Sequence, residues 1–351
     1  MKIQYVGIDV GKRSSAFCVI DEKGNILKEV ELATEEDVLK TFFRELESSL
    51  AVVEACPLAE WMHNLMKSEG HMIDIVDSRD AKKALSRKKK TDKIDARGLA
   101  QLARTGWYTR VHCKSDEARH FRTLLSSRRQ LLKTAQALKA STRGILLSNG
   151  IKLPVGQGRN FQADVRESIK EVDSIVKKSI RPLLKLAVEA EELAERNYKD
   201  LKRIARKDKT AQLLQSIPSI GPATATAFMA TIDDPRRFSS GEKVSAYIGL
   251  APSVHQSGDT EYHGRITKEG DSLLRWLLVE CAHVLLYRSK EEHPLKQWGL
   301  GLAEKKGMAK AKVAVARKLS CLMHSVWSSG IPYDITLATV NAEGGDVSLA
   351  A

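Results

Sequence analysis

Residues 3–21 read "IQYVGIDVGKRSSAFCVID", and the fold turns on how this stretch is parsed. The apolar run from Ile3 to Ile8 has the composition of a buried strand and stops at Asp9, and after a "GKR" turn "SSAFCVID" resumes the strand pattern. "DEKGN", with Gly24 and Asn25, closes a hairpin into a third strand around "ILKEVEL". A helix follows from about Thr34 to Ser48, opened by the capping-box pattern "TEED". "LAVVEAC" is a short apolar strand ending at Glu54, Pro57 starts a helix that runs to about Glu69, and "HMIDIVDS" is another strand.

Three strands in a meander followed by alternating helix and strand make an α/β domain with a mixed sheet, which fits a ribonuclease-H-like fold. The helix that comes next is written in residues 86–105, "SRKKKTDKIDARGLAQLART". There the cations Arg87, Lys88, Lys89 and Lys90 run into Asp92 and Asp95, spaced i, i+3, so both acids project from one face of a helix's first turn. Alone, the pair reads as a helix start, with Thr91 or Asp92 as the N-cap and Asp95 complementing the helix dipole. In a ribonuclease-H-like sheet, however, the carboxyl ends of the central strands converge on the following helix, and Asp9 and Glu54 end two such strands. Four carboxylates meeting there repel one another unless cations neutralise them, which is the logic of a two-metal phosphodiester site. Arg87 to Lys90 would hold the nucleic-acid backbone beside it.

The whole chain agrees with a nucleic-acid partner. Its 351 residues exceed the usual size of a single core, so two or three domains are expected, and the formal net charge of +13 calls for a polyanion. A membrane is disfavoured, because the most apolar run, "LLRWLLVECAHVLLY" from Leu273, is interrupted by Arg275, Glu280 and His283. The N-terminus has no signal-peptide pattern, so a cytoplasmic location is expected. The scattered cysteines Cys18, Cys56, Cys113, Cys281 and Cys321 form no CxxC pair, which excludes a disulfide scaffold and fits a reducing compartment. His112, Cys113 and His120 match no zinc-ligand spacing. Aromatic content of 5% is low for stacking single strands, which favours phosphate contact with duplex DNA or structured RNA.

From about Asp116 to Asn149 the pattern is helical and basic. Arg119, Arg122, Arg128, Arg129, Lys133, Lys139 and Arg143 face only Asp116 and Glu117 among acids, and a stripe of leucines supplies the apolar side. Such a face is either solvated or a phosphate contact. "GIKLPVGQGRNF" breaks the helix, and a second helical stretch runs from about Asp164 to Lys207, strained at Pro182, giving an antiparallel helical spacer. Residues 213–232, "LLQSIPSIGPATATAFMATI", have the pattern of a helix-hairpin-helix, in which the turn amides at Ile220 and Gly221 would hold a phosphate without reading sequence. A plain αα-turn is the alternative. The tail "NAEGGDVSLA" after Val340 is small and polar and is expected to be disordered.

"GIDVGKRSSAFCVID", "VVEAC" and "KTDKIDARGLAQL", followed by "IPSIGPATA", "YIGLAPSVHQSG" and "GRITKEGDSLLRWLLVE", resemble the DEDD-type insertion-sequence transposases. That family joins a RuvC-like N-terminal domain to a C-terminal transposase domain and includes recombinases guided by a bridge, or seeker, RNA. The resemblance spans about residues 3–328 in the expected order. It implies that Asp9, Glu54, Asp92 and Asp95 form a magnesium site and that a serine nucleophile comes from "APSVHQSGDT", where Ser257 before Gly258 matches and Ser253 lies four residues earlier. It further implies a DNA substrate, a structured guide RNA and a homo-oligomer, dimer or tetramer. Metal coordination would activate the serine, and Arg265 or Lys268 would stabilise the charged transition state.

Three rivals compete. The opening also resembles actin-like kinases, but no later Gly-Gly adenosine loop follows and the basicity goes unexplained. A RuvC-like endonuclease using water shares every feature of the first domain and leaves the C-terminal half without a purpose. A catalytically silent binding protein is disfavoured by the complete set of four acids. The expected organisation is thus an α/β domain over 1–110, a helical spacer over 111–207, a mostly helical transposase domain over 208–330, and the tail over 331–351.

Overall fold

The computed structural model describes residues 3–79, 81, 91–154, 160–257, 260–290, 293–334, 338–340 and 347–349. It divides into two compact units, Met1–Lys114 and Ser115–Ala351. In the first, the strands are β1 (Gln4–Val10), β2 (Ser14–Ile20), β3 (Ile26–Ala33), β4 (Ser49–Glu54), β5 (Met72–Val76) and β6 (Arg110–Val111), and the helices are α1 (Glu36–Arg44), α2 (Ala59–Ser68) and α3 (Asp92–Thr105). They build one sheet in the order β3-β2-β1-β4-β5-β6, with the meander antiparallel and β1, β4 and β5 parallel. This is the mixed sheet that the sequence pattern predicts.

Because side chains alternate across a strand, β1 serves two layers. Val6 and Ile8 join Phe17, Phe43, Met62 and Met66 in the core beneath α1 and α2. Gly7 faces α3 on the other side. A Cβ at position 7 would overlap the carbonyl oxygen of Ala96 and the amide nitrogen of Ala100, so the helix lies directly on the strand backbone only because residue 7 is glycine. Gly7→Ala should therefore push α3 off the sheet and destabilise the unit by about 3 kcal/mol or more, read as a lower midpoint in denaturant. An unchanged midpoint would mean that α3 is not held by this contact.

One helix start is corrected and one is borne out. "TEED" does not form a capping box: Glu35 occupies the N-cap with no side-chain cap bond, and the Thr34 hydroxyl donates instead to Gly11 O at 3.0 Å and meets Ser15 Oγ at 2.8 Å, tying the helix entry to the β1–β2 turn. The α3 start behaves as read, with Thr91 as N-cap accepting from the Ile94 amide.

The second unit contains α4 (Asp116–Ser148), α5 (Phe161–Ser168), α6 (Ser174–Ala205), α7 (Lys209–Leu214), α8 (Pro222–Ile232), α9 (Gly241–Ile248), a hairpin of β7 (Pro252–Ser257) and β8 (Thr260–Ile266), α10 (Ser272–Tyr287), α11 (Pro294–Lys306) and α12 (Met308–Ser329). The second spacer helix is not continuous from Asp164. Asp173 accepts from the Ile175 amide at 2.7 Å and starts α6 afresh, and α6 then runs through Pro182, with Ile180, Leu184, Ala187 and Ala190 buried around it. Phe121 and Leu125 of α4 and Leu201 and Ala205 of α6 pack in the same core as α8, α10 and α12, so residue 207 marks no break in packing. Helix α8 is buried all round from Thr224 to Ile232, and its threonines satisfy themselves on the preceding turn, Thr226 on Pro222 O and Thr231 on Ala227 O. Beyond α12, β9 (Ala338–Val340) and β10 (Val347–Leu349) pair antiparallel in the stretch that composition marks for disorder, where Thr339, Val340 and Val347 supply strand propensity.

Candidate functional site

The sheet register decides where the acids stand. Gly7 pairs with Val52 of β4 and with Cys18 of β2, and this row faces α3. The next row on the same face, two residues further along each strand, holds Asp9, which pairs with Ala16, and Glu54, since Ile8 pairs with Val53. Helix α3 runs against β1: Tyr5 packs near Leu102 and Ala103, Gly7 meets Ala96 and Ala100, and the row with Asp9 lies toward the first turn, where Asp92 and Asp95 stand. A bidentate ion pair from Arg97 to Glu29 on β3, at 2.5 and 2.7 Å, fastens the helix from its other flank. The Cys18 thiol lies beside this pair, where burial, reinforced by Glu29, pushes it up to about 12.

Asp9, Glu54 and Asp95 are half-buried and Asp92 is exposed. All four offer hard oxygen donors, the right chemistry for a divalent cation such as Mg2+. As the side chains stand, no group of three or more acids, histidines or cysteines among the described residues is close enough together to hold an ion. The backbone thus brings the four acids to one end of one face without closing a cage. Arg87, Lys88, Lys89 and Lys90 lie outside the described residues.

The candidate serine belongs to the other unit. Ser257 ends β7 and pairs with Thr260 across the hairpin, so it stands at the tip, next to the two residues that join the strands. Its side chain lies outside the described residues. Ser253 sits nearer the base, and its hydroxyl donates to Arg265 O at 3.1 Å. Below it, the loop before α10 interlocks with the end of α9: a side chain at Gly249 would overlap the Glu269 backbone, and one at Gly270 would overlap Tyr247 O, both glycines having φ above +80°. Arg275 Nη1 donates to Ile248 O and Glu269 O, each at 2.7 Å, and clamps the two segments together. Arg265 and Lys268 are exposed beside this base, Lys268 with φ of 58°. The hairpin and its clamp were not read from the sequence. The alternation in "PSVHQS" and "TEYHGRI" around a two-residue connection was the signal for them.

Two family models match this chain: one described as "Transposase" over residues 6–149, and one described as "Transposase IS116/IS110/IS902 family" over residues 211–297. Together they take in both the acid-bearing sheet and the serine hairpin. The chain belongs to the IS110/IS116 family of DEDD transposases. It is 29% identical to the transposase for insertion sequence element IS1111A of Coxiella burnetii, over 90% of this chain and 87% of the relative. It is 24% identical to a probable family 20 transposase of Pseudomonas aeruginosa, over 93% and 98%. It is also 26% identical to a pilin gene-inverting protein of Moraxella lacunata, over 95% and 98%. Transposases of this family are enzymes that cleave and rejoin DNA, and DNA is their substrate. No described helix of the transposase is long and apolar enough to cross a membrane.

The basic helix α4 divides into two faces. Arg122, Arg129 and Lys133 line a groove of about 520 Å³ between α4, α8 and the start of α10. There Arg122 stands 3.6 Å from Asp271, and Arg129 donates to Ser272 Oγ at 3.0 Å. Arg119 pairs with Asp116 one turn back. Arg128 points elsewhere, its guanidinium over the Tyr198 ring at 4.8 Å with Nε buried, so it clamps α4 to α6. Neutralising Arg122 and Arg129 should lower the log–log salt slope of duplex binding by about 0.9 each, while Arg128→Gln should leave the slope alone and lower the thermal midpoint. Equal slopes for all three variants would leave this groove as solvated surface.

Of the two amides expected to hold a phosphate before α8, that of Ile220 is engaged inside the turn. The Ile220 amide donates to Ile217 O at 3.1 Å, and the buried Cys281 sulfur meets Thr224 Oγ1 at 3.2 Å. Helix α7 on the near side is six residues long.

Proposed function

We propose that this transposase cuts and rejoins DNA through a phosphoserine intermediate at Ser257, with two Mg2+ ions held by Asp9, Glu54, Asp92 and Asp95. The observation that carries the reading is the shared sheet row of Asp9 and Glu54 facing the first turn of α3. Bound there, Mg2+ would lower the barrier by neutralising charge on the phosphodiester and by favouring the deprotonated nucleophile.

The serine hydroxyl gives up its proton and its oxygen attacks phosphorus, while the bond from phosphorus to the leaving sugar oxygen breaks and that oxygen takes a proton. A hydroxyl from another strand then reverses the exchange and frees the serine. The number of phosphoester bonds is unchanged, so no ATP is needed. Arg265 and Lys268, exposed at the base of the hairpin, supply cations for the extra negative charge of the transition state. The Ser253 bond to Arg265 O and the Arg275 clamp support Ser257 over Ser253, because they leave Ser253 a structural task and Ser257 the tip.

The pilin gene-inverting relative fits a reaction that rejoins what it cuts. The net charge of +13 with 5% aromatic residues supports a second polyanion, a structured guide RNA contacted through phosphates. The carboxylates and the serine belong to different units of the chain, so the reading includes a homo-oligomer, dimer or tetramer, in which one copy's serine serves another's acids. End-labelled DNA incubated with the protein and Mg2+ and run on a denaturing gel should carry a protein-linked label. Free ends alone would make it a RuvC-like endonuclease that uses water.

A further inference from the structure

A groove of about 940 Å³ in the second unit lies between α5 and α6 and is separate from the α4 groove. Ile169 and Leu184 are buried at its floor, and its rim carries Arg166, Lys170, Lys177, Arg181 and Lys185, with Glu189 and Glu192 further along α6. Among the described residues only Lys170 of the five cations has an acidic partner, Glu167. Lys177 is instead steered by donating to Lys170 O at 2.6 Å.

This placement opposes two electrostatic rules of helix stability. Beyond its Asp173 cap, α6 has no acid in its first turn, and Lys177 and Lys178 lie near the end where the helix dipole is already positive. Lys177, Arg181 and Lys185 then follow at i, i+4, i+8, a spacing that makes each a like-charged neighbour of the next. Both features cost stability in the free protein and both are offset by an anion laid along the helix. The three span about 12 Å, a length of duplex axis that carries about three phosphates on each strand. The described lining contains no aromatic side chain on which unpaired bases could stack, which points to a duplex.

We infer that the groove between α5 and α6 is a further DNA-binding surface, which grips the phosphate backbone of duplex DNA outside the reacting phosphodiester and independently of Ser257. In the full-length protein, the triple variant Arg166→Gln/Arg181→Gln/Lys185→Gln should lower the log–log salt slope of binding to a duplex DNA oligonucleotide by about 2.7, at about 0.9 per contact. Arg181→Lys/Lys185→Arg should keep the slope. The thermal midpoint of the triple variant should hold or rise as like-charge repulsion is relieved. An unchanged DNA slope overturns the inference, as does a loss confined to duplex RNA of the same length. A lower midpoint accompanying the weaker binding also overturns it, because the cations would then serve the fold.

Discussion

Ser257→Ala should remove the protein–DNA adduct and reduce recombination by roughly five to six decades, the scale on which loss of a nucleophile acts. The hairpin should survive, since Ser257 lies at the tip, next to the connection, and the fixed geometry is at the base, where Arg275 and the two loop glycines interlock. Ser253→Ala makes the opposite prediction: it deletes the bond to Arg265 O, costs about 1 kcal/mol of stability, and leaves the adduct in place. Adduct yield on denaturing gels, set beside the denaturation midpoint of each variant, separates chemistry from folding. Recombination that persists in Ser257→Ala would take the serine out of the mechanism and leave the carboxylates acting on water.

Asp9→Asn, Asp92→Asn and Asp95→Asn should each slow strand cleavage by about three decades, since metal stabilisation of a transition state is worth several kcal/mol and each decade takes about 1.4 kcal/mol. DNA binding should be nearly unchanged. Folding stability should hold or rise slightly, because each change removes one of several like charges gathered at the end of one sheet face. Glu54→Gln should behave alike, being the neighbour of Asp9 in the row. The measurements are single-turnover cleavage of labelled DNA, binding to the same DNA, and unfolding in denaturant. Full cleavage in any two variants would remove these carboxylates from the reaction.

The first unit was legible because its signals are local and strong. Strand runs such as "IQYVGI" and "LAVVEAC" are apolar and end at an acid, and the i, i+3 pair Asp92 and Asp95 follows a threonine that does cap the helix. The capping box failed because Thr34 had a better partner than its own helix offers, the carbonyl of Gly11 twenty-three positions back, and sequence spacing cannot weigh a long-range bond. Strand β6 is two residues long and carries no periodicity to read. In the second unit the basic helix was found, but not its two faces: Arg128 and Arg129 are adjacent in sequence, and only the packing of Tyr198 tells which is structural. The phosphate-holding turn looked right by composition, but the Ile220 amide is taken by Ile217 O, a bond within the turn that composition does not show.

The strand β1 carries core and chemistry on alternate residues, Val6 and Ile8 inward beneath α1 and α2, Gly7 and Asp9 outward beneath α3. Such a strand works as a parity check on the gene. Losing or gaining a single codon within it exchanges the odd and even sets, so the valine and isoleucine face α3, the glycine's clearance is lost, and the aspartate turns into the apolar layer. Errors of this kind therefore yield no folded protein with a misaligned site, which would still occupy DNA and block intact copies. For an enzyme encoded by the DNA it moves, a damaged copy of this strand falls silent instead of interfering.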